Sequence, residues 1–149
     1  EDESLLLTMI EQELGEERLR IAGVKNTDAD HSRTPEFYPP RWDKSLFWRN
    51  TAHHQGILYH RSLFEQWKYE LRYPILADYH LNLKLFQKGI TAQLFAGTLV
   101  ISKAQGLSKR FDMALYQEEW RVKKDVVQGV KKWFQPTWLV LKFLYKKVF

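Results

Sequence analysis

The hydrophobic period changes several times along this chain, and that switching limits what it can fold into. Leu6, Ile10 and Leu14 recur at the spacing of one helix face, and the acids Glu1 to Glu3 precede them, where a helix dipole favours negative charge. Gly15 marks a stop. Leu19 to Val24 then alternates, which predicts a strand. Lys25 to Trp42 is polar and holds Pro35, Pro39 and Pro40, so a long irregular segment is expected. Thr51 to Leu58 should include a short extended piece, and Arg61 to Trp67 a short helix. From Asp78 the period returns to 3.6, with Leu81, Leu85 and Phe86 on one face and Gly89 closing the helix. Ile90 to Ile101 is strand-prone, with a break expected at Gly97. Met113 to Phe134 reads as one long helix, and Pro136 separates it from a last amphipathic piece, Thr137 to Phe149.

Strands and helices in mixed order predict an α/β fold with helices flanking a mixed sheet. A chain of 149 residues suits one ordinary domain, and 44% hydrophobic content supplies its core. The absence of cysteine excludes disulfides, thiolate metal sites and a cysteine nucleophile, and agrees with a reducing compartment.

The net charge of +5 is unevenly placed. Residues 120–149 carry eight Lys/Arg and a single acid, Asp125, whereas residues 1–119 carry 15 basic and 17 acidic groups. The division predicts a body over 1–112 and a basic, aromatic-rich helical tail over 113–149. A slightly acidic body argues against a nucleic-acid surface. The tail admits two readings. Trp133 and Trp138 with nearby lysines are typical of helices lying at an anionic membrane surface. Alternatively, Val122, Val126, Val130 and Trp133 pack on the body and the lysines are solvated. No run reaches the roughly 20 apolar residues of a membrane span. With no signal-peptide pattern at Glu1, the expectation is a cytoplasmic protein, peripheral at the membrane through Trp120 to Phe149.

Three groups could carry chemistry. Asp28-Ala29-Asp30 could hold a divalent cation, but it reads better as a solvated loop. His53, His54, His60, Asp78 and His80 could ligate a metal, yet no pair has the i, i+4 spacing of a helical metal motif. Asp78 follows an apolar run and opens a helix. That position suits an N-cap, favoured on spacing alone, and it equally suits a general base at a cleft.

The order of short motifs adds a resemblance. The stretch His54-Gln55-Gly56-x-x-Tyr59-x-Arg61-Ser62-Leu63-Phe64 is followed by Tyr73-x-Ile75-x-Ala77-Asp78-Tyr79-x-Leu81-x-Leu83, then Gly89, then Gly106-Leu107-Ser108. Together these resemble the second half of a family 2 glycosyltransferase with the GT-A fold, from about Leu5 to Ser108. The resemblance implies that Asp78 is the base that deprotonates an acceptor hydroxyl. It implies that His54 and Gln55 lie beside the active-site cleft, and that Gly106 and Ser108 belong to a loop on the acceptor side. Gln105 stands where the first glycine of that loop usually does. The family's nucleotide-binding half, which ends in a D-x-D motif, has no counterpart before Leu5, and Asp28-Ala29-Asp30 falls too late to replace it. The partners implied are a nucleotide-sugar donor and a glycan or lipid-linked acceptor. The parent enzyme would use a divalent cation (Mg or Mn) whose ligands lie outside this chain. The isolated chain is then an acceptor-side fragment that does not catalyse by itself, and apolar surface should be exposed where the other half docks. The rival reading is a non-catalytic membrane-surface or interaction module built on the tail.

Overall fold

A computed structural model describes residues 3–12, 18–27, 34–103 and 112–148. Its elements run α1 (Glu3–Glu11), β1 (Leu19–Thr27), β2 (Phe37–Tyr38), β3 (Ile57–Tyr59), α2 (Leu63–Gln66), α3 (Ala77–Gln87), β4 (Ala92–Lys103), α4 (Met113–Val126) and α5 (Val130–Val148). Short 3-10 turns lie at Lys44–Phe47 and His54–Gly56. The architecture is mixed α/β, as the alternating periods predict.

β1 is the centre of a four-stranded mixed sheet. β2 and β3 pair antiparallel with it, at Val24↔Tyr38 and Ile21↔Ile57. β4 pairs with it in parallel, from Leu19↔Ala92 to Thr27↔Lys103. Strand β1 is buried without alternation from Leu19 to Val24, because both of its faces are covered. On one face Leu5 and Met9 of α1 pack against Ala22, Phe95 and Leu99. On the other, Leu19 and Ile21 join Ile57, Leu63, Tyr79, Leu81, Leu83 and Leu85 in the main core. Leu115, Val122 and Val126, from the basic tail region, belong to that same core. Each such aliphatic side chain contributes about 1.5–3 kcal/mol when fully buried.

Several local expectations are corrected. In α1 the sheet-facing residues are Leu5 and Met9, while Leu6 and Ile10 face outward with Leu7. Leu14 and Gly15 lie outside the described residues, as do Asp28 and Asp30. The stretch from Lys25 is less irregular than its prolines suggest, since β1 extends to Thr27 and Phe37–Tyr38 pairs beside it. Gly97 does not break its strand. It sits at φ 113° inside β4, where two register shifts against β1 absorb the extra residues as a bulge. The long C-terminal helix breaks at Val127–Gly129 rather than at Pro136, because Val127 turns extended and Gly129 takes φ 69°. Pro136 is accommodated within α5.

Buried Arg20 on β1 shows how the sheet holds α1. Its guanidinium donates to the carbonyls of Met9, Ile10 and Gln12, the acceptors a helix C-terminus leaves open.

Gly56 fixes the approach of the His54–Gly56 turn to β1. A Cβ there would stand 2.4 Å from the carbonyl oxygen of Ala22 and 2.9 Å from Val24 Cγ2. Because the nearer obstacle is backbone, Gly56→Ala is expected to cost about 1–3 kcal/mol, as overpacking does. A urea midpoint equal to wild type would contradict that.

Candidate functional site

The helix that carries Asp78 is capped from a distance. Its N-cap residue, Leu76, provides no side-chain hydrogen bond, and Asp78 lies inside the first turn. Asp78 is therefore not the N-cap that spacing alone favours. Glu118 of α4 instead holds the turn that leads into the helix: its buried carboxylate accepts from the backbone N–H groups of Ile75 at 2.8 Å and Leu76 at 2.7 Å. An anion at this helix mouth also meets the positive end of the dipole. The Asp78 carboxylate faces another partner.

That partner is His54. The two are 24 positions apart in sequence, yet His54 Nδ1 lies 3.1 Å from Asp78 Oδ2. The 3-10 turn at His54–Gly56, seated on β1 through Gly56, brings the imidazole to the helix. Asp78's side chain is 21% exposed, enough for an entering group to reach it, while His54 is more open.

Aromatic side chains flank the pair. His54 stacks on His53 with ring centroids 5.0 Å apart, and His53 meets the ring of Tyr38 at 4.8 Å. Phe64 contacts both Tyr59 and Tyr69. The phenols of Tyr59 and Tyr69 are raised above their ordinary pKa, first by burial and also by the negative charge of Asp78. Both therefore remain protonated donors at neutral pH. Tyr59 donates at 2.7 Å to Oδ1 of Asn82, one helical turn beyond Asp78. Asn82 is fully buried, and its Nδ2 has no partner among the described residues. A carboxylate with a histidine and phenol donors beside it can accept a proton from a hydroxyl and orient that hydroxyl by hydrogen bonds.

Other sequence candidates fall elsewhere. Gln55 is exposed on the same turn as His54. Gly106 and Ser108 lie outside the described residues. His60 does not approach Asp78 by any contact observed; its Nδ1 meets Ser62 Oγ at 2.7 Å, and Arg18 donates to the same hydroxyl. His80 is buried against Tyr73, and burial lowers its pKa. Among the described residues no group of three or more His, Asp or Glu side chains is arranged to hold a metal ion. Local spacing points to Asn82, four residues after Asp78, but it does not point to Tyr69 or Glu118, which arrive by tertiary packing.

The remote cap makes a prediction. Glu118→Ala leaves two N–H groups at the start of α3 without their anion. It is expected to destabilise the fold by about 1.5–3 kcal/mol, the usual worth of hydrogen bonds to a charged group. A chemical denaturation curve unchanged from wild type would show that the cap carries no weight.

No family model, curated protein or solved structure matches the chain. The functional reading therefore rests on the motifs and on the geometry around Asp78.

Proposed function

We propose that this chain is the acceptor-side part of a family 2 glycosyltransferase domain. The reaction passes a sugar from a nucleotide donor to a hydroxyl of a glycan or lipid-linked acceptor. In this reading Asp78 takes the proton of the acceptor hydroxyl as its oxygen attacks the anomeric carbon. The bond from that carbon to the nucleoside diphosphate breaks, and the diphosphate leaves with the electron pair. His54 holds the Asp78 carboxylate, and the Tyr59–Tyr69 side is suited to orienting the acceptor. A divalent cation would neutralise the donor diphosphate, but the described residues offer no fitting ligand group, and Asp78 is assigned no part in holding one.

One observation carries the reading: His54 and Asp78, from two separate motifs in the family order, meet at 3.1 Å. Two others support it. Asp78 lies inside the first turn of α3 and is 21% exposed, so its carboxylate is open to an entering hydroxyl. Exposed Leu6, Leu7 and Ile10 on α1, with Leu94 and Ile101 on β4, offer apolar surface for an adjoining nucleotide-binding half. Among the described residues β4 pairs only with β1, so its other edge is free to extend the sheet.

The test is a transfer assay on the full-length gene product, followed by nucleoside diphosphate release. Asp78→Asn should remove acceptor-dependent release while nucleotide-sugar binding persists. Near-normal turnover in that variant would take the role of base away from Asp78.

A further inference from the structure

The described polar contacts of helix α5 with the body lie on one side. Gln135 Nε2 donates to the carbonyl of Phe47 at 3.0 Å, and the indole N–H of Trp138 donates to the carbonyl of Trp48 at 3.0 Å. Lys142 reaches Glu119 of α4 at 2.8 Å. Leu139 is buried, and Phe143 meets the ring of Tyr116 edge-on at 5.2 Å. The inward side thus holds most of the helix's polar fixings.

The outward side carries large apolar residues. Trp133, Phe134, Val140, Leu141, Leu144 and Tyr145 recur at i, i+1, i+7, i+8, i+11 and i+12, which is one helical face. All six are at least half exposed, and Trp133 is 84% exposed. Single exposed apolar residues need no account, but a continuous face of six on one helix marks a contact surface. Of the tail residues read as packing on the body, Val122 and Val126 do so, but Trp133 does not, whereas Trp138 donates to the body.

We infer that the outward face of α5 docks on an anionic phospholipid surface, with the helix lying in the plane of the bilayer interface. Charge selects this occupant. Residues 120–149 hold eight basic groups; Lys123 and Lys142 are tied to buried Glu119, which leaves six, and the single acid of the stretch, Asp125, is already engaged by Arg72 at 2.6 Å and by the hydroxyl of Tyr73. Two copies meeting through this face would bring two such basic tails together, which like-charge repulsion disfavours. An anionic bilayer removes that repulsion and covers the apolar stripe, and Trp and Tyr are suited to the headgroup level. An in-plane pose also fits the helix itself, because among the described residues no helix is long and apolar enough to cross a membrane. The inference does not depend on the glycosyltransferase reading, since it uses no residue near Asp78.

The experiment mixes the 149-residue chain with vesicles of phosphatidylcholine plus phosphatidylglycerol, or of phosphatidylcholine alone. Partitioning is read by co-sedimentation. Wild type should bind the anionic vesicles, weaken with added salt, and bind the neutral vesicles less. Replacing Trp133→Ala, Leu141→Gln and Leu144→Gln together should lower partitioning about tenfold or more, because the buried apolar area is lost while the basic charge remains. These side chains face away from the body, so the far-UV spectrum should be unchanged. If the triple variant misfolds, quenching of wild-type tryptophan emission by brominated acyl chains decides the matter. Absent quenching, equal binding to neutral vesicles, or undiminished binding by a folded triple variant would overturn the proposal. So would a dimer in solution that the same substitutions dissociate.

Discussion

Glu119→Gln is expected to destabilise this protein by about 3–5 kcal/mol, the usual consequence of removing one partner from a buried ion pair. Glu119 is buried on α4 and accepts from two lysines, Lys123 at 2.9 Å and Lys142 at 2.8 Å. Lys123 is wholly inaccessible and also donates to the Trp48 carbonyl at 2.7 Å. A neutral amide would leave a buried ammonium without its counter-charge. The variant should also loosen α5, whose Lys142 loses its anchor. Urea denaturation measures the first effect. The second is read from the near-ultraviolet dichroism of the Trp48–Trp138 pair, which are edge-on at 5.9 Å. A compensating Lys123→Met in the Glu119→Gln background should recover much of the loss, since an apolar chain of similar length needs no counter-charge. A single variant as stable as wild type would show that the triad is energetically idle.

The same triad sets a pH dependence. Burial alone would raise the Glu119 carboxyl, but Lys142 and Lys123 outweigh burial and hold it below 4.5. As pH falls, the unfolded chain therefore takes up this proton before the folded one. The contribution is complete above pH 4.5 and is lost as pH drops through the folded value. For Lys123 burial dominates the other way and holds the amine down to about 8 from 10.5, against the raising pull of Glu119 and with a smaller lowering push from the Lys142 charge. Between those two values the unfolded chain binds the proton more readily, so stability should rise with pH across that window. Urea midpoints across the acid range, with and without Glu119→Gln, check the acid limb. The alkaline limb should flatten in Lys123→Met.

The second large effect is expected at Asp78. A positioned general base contributes about a hundredfold to ten-thousandfold, so Asp78→Asn in the full-length protein should cost about 3–5 kcal/mol of transition-state stabilisation. The loss should fall on kcat, with donor affinity nearly unchanged, because in the proposed reaction the carboxylate acts on the acceptor proton. His54→Ala should lose less. Combined with Asp78→Asn it should add little, since a residue that only orients the base has nothing left to orient. Multiplying losses in the double variant would separate His54 from Asp78. A loss in KM for the nucleotide sugar alone would recast Asp78 as a donor ligand.

What the sequence reveals here depends on how local the determining interaction is. Helix α3 is legible because Leu81, Leu85 and Gly89 encode its face and its end within twelve residues. Strand β1 is legible as a strand, but the burial of its whole first half depends on α1 and α3 packing from opposite sides. The break near Gly129 is hidden because Pro136 is the stronger local signal, yet a left-handed glycine turns the chain sooner. At the site, motif order brings His54 and Asp78 into the same candidate set before any fold is known. Their actual distance, the Tyr69 wall and the cap by Glu118 are products of long-range packing. The local rule assigns Asp78 to capping because it cannot see an acid 40 residues downstream.

That distant cap also bears on how the chain matures. The amides of Ile75 and Leu76, at the entry to α3, lack their Glu118 acceptor until α4 exists. During synthesis at about 5–20 residues per second, α3 emerges some seconds before α4 can reach it. Arrival of α4 supplies that acceptor, so the entry to α3 is fixed only once the carboxyl-terminal helices are in place.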